Sequence, residues 1–179
     1  MDFQNSRTFA NLQSAYEGEL KSSSKYSIYS KQASQEGYIQ IGNVFEIATH
    51  HEREHAIIFL KLMNNLQLPD TLTNLLDASA TESNEGSNLY REYAQIAREE
   101  GYNNIAALFD GIANIAMNLE VTFQSFARSI EQGEVFCKKE EQLWICLNCG
   151  NIMGGLCAPE ICPICGYPQG YYEVYNPIN

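Results

Sequence analysis

Positive charge is scarce in this chain. Eleven Lys and Arg stand against 22 Asp and Glu, a formal net charge of −11. Nucleic acid and anionic membrane surfaces both require a basic face, so the sequence excludes them as partners. No apolar run approaches the ~20 residues of a membrane span. The start, Met1-Asp2-Phe3-Gln4-Asn5, has neither the basic residues nor the apolar stretch of an export signal. Cysteine does not occur before Cys137, and all six cysteines lie in the last third. Four of them form two Cys-x-x-Cys pairs. Without an export signal, this usage reads as metal ligation rather than disulfides, in a reducing cytoplasm. Hydrophobic residues make up 45% and charged residues 18%, an ordinary globular balance. The 179 residues suffice for one core and a small second module.

Helical periodicity, by contrast, is plentiful. Ile41, Phe45, Ala48, Phe59, Leu62 and Leu66 recur at three- and four-residue steps. The same steps place Glu52 and His55 inward. Glu-x-x-His is the arrangement by which helical bundles hold metal, and burying the pair uncompensated is costly. The alternative is a surface pair on a helix twisted slightly from this register.

Four helical segments are expected. The first starts at Asn5 or Ser6 and runs to Glu36, with Gly37 ending it; its stripe is Leu12, Tyr16, Glu19, Ser23, Tyr26, Ser30 and Ala33. The second spans Tyr38 to Leu66 and is stopped by Leu68-Pro69-Asp70. The third runs from Thr71 to Glu100 with stripe Leu72, Leu75, Ser79, Glu82, Leu89 and Ile96, and Glu85 follows one turn after Glu82. The fourth runs from Tyr102 to Gln132, with Ile105, Leu108, Ile112, Ile115, Leu119, Phe123, Phe126 and Ile130 facing inward. Long helices joined by short breaks make an antiparallel four-helix bundle. Glu19, Glu52, His55, Glu82 and Glu85 fall near mid-helix on predicted inward faces. Four buried carboxylates need a cation or must stay protonated. Iron or manganese suits carboxylate plus imidazole, with zinc the alternative.

From Glu134 to Gln142 the chain is charged and aperiodic, a linker or short extended lead-in. Then come Cys146-Leu147-Asn148-Cys149-Gly150 and Cys162-Pro163-Ile164-Cys165-Gly166. Each pair presents two thiolates from a tight turn, and Gly150 and Gly166 let backbone N–H groups approach the sulfurs. Together Cys146, Cys149, Cys162 and Cys165 make a tetrahedral four-thiolate site, for which spacing does not separate iron from zinc. Cys137 and Cys157 read as small buried hydrophobes or free thiols, with a redox role for Cys157 the alternative. The domain ranges are 1–133 for the bundle, 134–143 for the linker and 144–179 for the thiolate module.

These residues carry a resemblance. Ala15-Tyr16-Glu17-Gly18-Glu19, Phe45-Glu46 through Glu52-Arg53-Glu54-His55-Ala56, Glu82-Ser83-Asn84-Glu85 and Ala97-Arg98-Glu99-Glu100-Gly101-Tyr102 are similar to the helices of rubrerythrin. Trp144-x-Cys146-x-x-Cys149-Gly150, Ala158-Pro159-Glu160 and Cys162-Pro163-x-Cys165 resemble the rubredoxin-like domain that follows the bundle in that family. The resemblance implies a ferritin-like bundle with a carboxylate-bridged di-iron centre and iron in the four thiolates, zinc being possible in recombinant protein. Glu19, Glu52, His55, Glu82 and Glu85 fall on ligand positions, with Glu52 and Glu85 as catalytic positions and Tyr26 and Tyr90 close by. It further implies a homodimer, a redox partner protein as electron donor, and hydrogen peroxide as substrate. The fourth helix departs from the family. Ala116 and Leu119 stand where a Glu-x-x-His belongs, and Glu120 lies one residue along, about 100° around the helix. Asn114 and Asn118 are weak ligands for iron. The expectation is one bundle metal, iron or another transition metal, in an incomplete site serving peroxide reduction. The competing expectations are an electron carrier or binding module on a structural bundle, and iron storage or sensing.

Overall fold

The first helix begins at Ser6, whose Oγ accepts the Phe9 N–H at 3.1 Å. It runs as α1 over Arg7–Gln35, and Gly37 turns the chain with φ 86° while the Tyr38 N–H donates to the Ala33 carbonyl at 2.8 Å. The next helix, α2, covers Ile39–Met63. It stops before Leu66, because Asn65 and Leu66 take left-handed backbone with φ of 53° and 65°. These positions come from a computed structural model that describes residues 2–176; positions 1 and 177–179 of the domain ranges above lie outside the described residues. The chain divides into two compact units, Met1–Asp70 and Thr71–Asn179.

In the first unit α1 and α2 form an antiparallel hairpin. Ser23 Oγ donates to the Thr49 carbonyl at 3.0 Å and Ser30 Oγ to the Gly42 carbonyl at 2.9 Å, so the partner number falls as the first rises. The α1 face is the expected one, since every position of its stripe is buried or half-buried. The α2 face is shifted: Gly42, Phe45, Thr49, Glu52, Ala56, Phe59 and Met63 are buried or half-buried, the first four of them against α1, whereas Ile41 and Leu62 are exposed. Close helix approach selects small residues, and a Cβ on Gly42 would sit 2.7 Å from Ser34 Oγ. Apolar bulk therefore marks a broader surface than the seam itself.

The second unit holds the other two long helical runs and the sheet. The third run is continuous in direction but not in type: α3 (Thr71–Asn84), a π-helical segment (Glu85–Leu89) and α4 (Tyr90–Glu99) replace the single helix expected. It packs antiparallel against α5 (Asn103–Glu131), with Tyr90 stacked on Phe109 at 6.1 Å and Arg91 Nη2 donating to Asn114 Oδ1 at 2.5 Å. The seam of α5 is not the large apolar stripe: Ile105, Leu108, Ile115, Leu119 and Phe126 are exposed, and Ala106, Ala113, Ala116 and Ala127 are buried. By length and composition α5 is also long and apolar enough to cross a bilayer, which corrects the reading that no stretch qualifies; the core helix of a bundle passes the same test.

Gly86 is buried against α5. A Cβ there would fall 2.9 Å from the Ala113 carbonyl oxygen and 2.9 Å from Met117 Cγ. Gly86→Ala is expected to cost about 1–3 kcal/mol through overpacking. Urea denaturation measures it, and an unchanged midpoint would show that α5 yields without cost.

The charged stretch after Gly133 is extended. Most of it belongs to β1 (Cys137–Cys146), which pairs antiparallel with β2 (Ile152–Cys157) on one side and β3 (Tyr172–Val174) on the other. Trp144, Cys146, Ala158, Cys162 and Tyr172 form its small core. The molecule is thus mainly helical, with four long helical runs and a small antiparallel C-terminal sheet.

Candidate metal centres

The two knuckles share one hydrogen-bond pattern. Cys146 N–H donates to the Asn151 carbonyl and Cys162 N–H to the Tyr167 carbonyl, both at 2.8 Å. Gly150 N–H returns to Cys146 O and Gly166 N–H to Cys162 O, with φ of 75° and 73° at the glycines. This places Cys146 Sγ 3.7 Å from Cys165 Sγ, and Cys149 Sγ 3.7 Å from Cys162 Sγ. All four sulfurs lie within 4.8 Å of one another. A tetrahedron with metal–sulfur bonds of about 2.3 Å has edges of about 3.8 Å. The four cysteines therefore fit a tetrahedral iron or zinc without rearrangement.

The surroundings favour thiolates unequally. The Tyr172 hydroxyl, with N–H groups of Cys165 and Ile164, draws the Cys162 thiol down to about 6. The Asn148 side chain and the Tyr167 N–H lower Cys165. Cys149 has an Asn151 N–H donating to its sulfur, yet burial and the neighbouring thiols push it up to about 12. Four adjacent sulfurs cannot all lose their protons unless a cation joins them. Tyr172 Oη is buried without a partner of ideal geometry, and the acceptor beside it is Cys162 Sγ. A metal-bound, negatively charged sulfur satisfies such a hydroxyl.

The second centre lies on the helical hairpin. The α1 stripe and the α2 seam bring Glu19 and Glu52 together, and His55 Nδ1 is 3.8 Å from a carboxylate oxygen of each. One ligand atom from each of the three lies within 4.8 Å of the others. The Glu19 carboxyl titrates above its usual range, chiefly because it shares a hydrogen bond with Glu52, with burial adding to the effect. Two acids held this way keep a proton between them or take a cation. His55 departs from expectation. It sits on the exposed side of α2 with a 52% exposed side chain, and reaches the carboxylates from the edge of the seam. Its ring nitrogen remains open to an ion or a small molecule.

Glu82 and Glu85 stand on the second unit, both half-buried. Glu85 opens the π segment, a local rearrangement that often accompanies functional positions. Tyr90 titrates above its ordinary value because it is desolvated and lies beside Glu85, toward which its hydroxyl donates. On α5, Ala116 is buried at 3% exposure and Leu119 is 38% exposed, so neither supplies a donor atom. Glu120 is half-buried on the alanine seam, one turn from Ala116. The phase of the small residues was the signal for it. Tyr26, at 6.2 Å from Phe45 between ring centres, packs within the first hairpin.

Sequence reasoning missed one feature outright. Cys137 and Cys157 are neither buried hydrophobes nor free thiols but a disulfide between the first residue of β1 and the last of β2. The available signal was their bracketing of the hairpin that carries the first knuckle. Reading all six cysteines as non-disulfide obscured it.

Comparison with known proteins agrees with this geometry. A family profile described as Rubrerythrin matches residues 10–74, and one described as Rubrerythrin, rubredoxin-like domain matches residues 144–173. The chain is 40% identical to a rubrerythrin of Clostridium perfringens (strain 13 / Type A), with 95% of each chain covered. It is 36% identical to a rubrerythrin of Nitratidesulfovibrio vulgaris (strain Hildenborough), with 94% of each covered. A solved structure of nigerythrin in a mixed-valence state is 24% identical with a TM-score of 0.36, over 95% of this chain and 87% of that one.

Proposed function

Because the chain belongs to the rubrerythrin family, we propose that it is a non-haem iron redox protein that reduces hydrogen peroxide through a reduced bundle site holding a single metal. The observation that carries this reading is the convergence of Glu19, Glu52 and His55, two carboxyls beside an imidazole, in a chain that also holds four matched cysteines.

Iron in the thiolates supplies one electron at a time, and a metal among the carboxylates supplies a Lewis-acidic acceptor for electrons and peroxide. The protein's part is positional. Cys146, Cys149, Cys162 and Cys165 fix four sulfurs at tetrahedral spacing, so a change of charge needs little movement. Tyr172 and Asn148 donate toward Cys162 and Cys165 and stabilise negative charge on those sulfurs. Glu19, whose carboxyl titrates high beside Glu52, gives up its proton when a cation enters, and His55 presents Nδ1 beside them. On the family resemblance Glu82 and Glu85, on the second unit, fall on ligand positions, with Tyr90 holding its proton toward Glu85. Glu52 is proposed to touch the reacting metal, and Glu85 is proposed as a catalytic position of the second unit on the family resemblance alone. A redox partner delivers the electrons, and the protein works as a homodimer in a reducing cytoplasm.

A second reading has its own support. Ala116 and Leu119 remove two donors from α5, which favours an electron carrier whose bundle is structural. Metal content and peroxide reactivity separate the two. Protein purified without air is assayed for iron, zinc and manganese, then reduced and mixed with peroxide while the thiolate-iron colour is followed. The proposal expects two metals per chain and peroxide-driven reoxidation. Three irons would restore the complete pair. A single thiolate-bound iron that peroxide reoxidises no faster than an isolated four-thiolate iron would leave the carrier.

A further inference from the structure

The six cysteines divide into four that converge on one point and two that do not. The two, Cys137 and Cys157, face each other across the open end of the β1–β2 hairpin, with Cα atoms 3.9 Å apart. The neighbouring Ala158 N–H donates to the Phe136 carbonyl at 2.8 Å. That makes 136/158 a hydrogen-bonded position and 137/157 the alternate one, where opposed side chains come closest on the same face. Just inside this point the ladder is interrupted. The next pairing is Gln142 with Gly155, so β1 advances from 137 to 142 while β2 moves only from 157 to 155. The disulfide closes the hairpin beyond this irregularity.

The pair is open to solvent: Cys157 is exposed and Cys137 half-buried, while of the four converging cysteines Cys146 and Cys162 are buried, Cys165 is half-buried and Cys149 exposed. Exposed disulfides are the readily reduced ones. The pair also adjoins the thiolate core: Ala158, next to Cys157, packs with Trp144, Cys146 and Cys162, and Phe136 packs against that cluster.

We propose that Cys137 and Cys157 form a reversible dithiol–disulfide couple, a second redox site in the C-terminal sheet that peroxide oxidises and thiols reset. The exposed Cys157 thiolate attacks one peroxide oxygen, forming a sulfur–oxygen bond as the O–O bond breaks, and the departing oxygen leaves as water. The Cys137 thiolate then attacks the Cys157 sulfenic sulfur, forming the disulfide and releasing the second oxygen as water. Two thiols lose two electrons and two protons, and one peroxide becomes two waters. Reduction is exchange with a low-molecular-weight thiol or a dithiol protein. The chemistry uses neither iron nor the carboxylates, so it stands apart from the reading above. In the oxidised form the hairpin bearing Cys146 and Cys149 is covalently closed at its base; in the reduced form that tie is open.

The test uses the full-length iron-loaded protein. It is reduced with dithiothreitol, freed of reductant without air, treated with one equivalent of peroxide, quenched in acid, alkylated and mapped by mass spectrometry. The expected result is a Cys137–Cys157 linked peptide in most molecules, returning to two alkylated cysteines after dithiothreitol. Cys137→Ser should instead leave Cys157 as a sulfenic acid trapped by a dimedone reagent, with the thiolate-iron absorbance unchanged as proof of folding. Two results overturn the proposal in the wild-type protein, whatever the variant does: both cysteines still alkylatable after peroxide, or a link that dithiothreitol does not open.

Discussion

Glu52→Gln should empty the carboxylate centre and leave the thiolate centre untouched. Glu52 is the member of the cluster that faces α1 directly, lies against Glu19 and stands one turn from His55. Replacing one carboxylate oxygen by an amide removes an anionic donor and adds N–H groups that repel a cation. Loss of an outer-shell partner alone typically costs 10–100-fold in metal affinity or activity, and loss of a direct ligand should exceed about 100-fold. Peroxide turnover should fall by at least that factor, with the visible thiolate-iron spectrum unaltered. Stability of the metal-free protein should move the other way. Glu19 titrates above its normal range because of Glu52, so its favourable contribution is complete at acid pH and lost as pH rises through the raised value. Removing Glu52 relieves that loss, and the metal-free variant should melt at or above the wild-type temperature at neutral pH. Unchanged turnover in Glu52→Gln would remove the bundle from the chemistry and leave the electron-carrier reading.

The second large effect is expected at Cys162. Its side chain is 1% exposed in a core that otherwise consists of Trp144, Cys146, Ala158 and Tyr172. So few apolar groups cannot hold forty residues alone. In small metal modules the bound ion supplies about 10–16 kcal/mol of apparent folding free energy. Cys162→Ser replaces a thiolate by a hydroxyl that binds the metal poorly and leaves Tyr172 without its acceptor. The sheet should then unfold while the helices persist. Trp144 reports this directly: it is the only tryptophan and is fully buried, with Nε1–H donating to the Gly155 carbonyl at 3.1 Å. Its emission should shift to the red, the iron colour should vanish, and electron delivery to the bundle should cease while a small-molecule reductant still reaches it. A blue, shielded Trp144 in the variant would mean that the sheet folds without its metal.

The thiolate centre was legible almost in full, because Cys-x-x-Cys-Gly is a local motif whose turn geometry is encoded within six residues. The helical runs were legible for a similar reason: periodicity, a Ser cap and terminal glycines act over one or two turns. The phase of α2 and α5 was not. Large apolar residues advertise hydrophobicity, but a close seam is lined by what fits, here Gly42, Ala56, Ala113 and Ala116. His55 was misplaced with the phase, and Glu120, read as turned about 100° from Leu119, is half-buried one turn from Ala116.

By itself, then, the sequence determined the elements, the four thiolates and the acids available to hold a metal, since each depends on residues near in the chain. Only the tertiary structure decided that Glu19 meets Glu52, that the π segment begins at Glu85, and that Cys137 and Cys157 join. These depend on strand register and helix rotation, and a shift of one residue in either carries a side chain to another face.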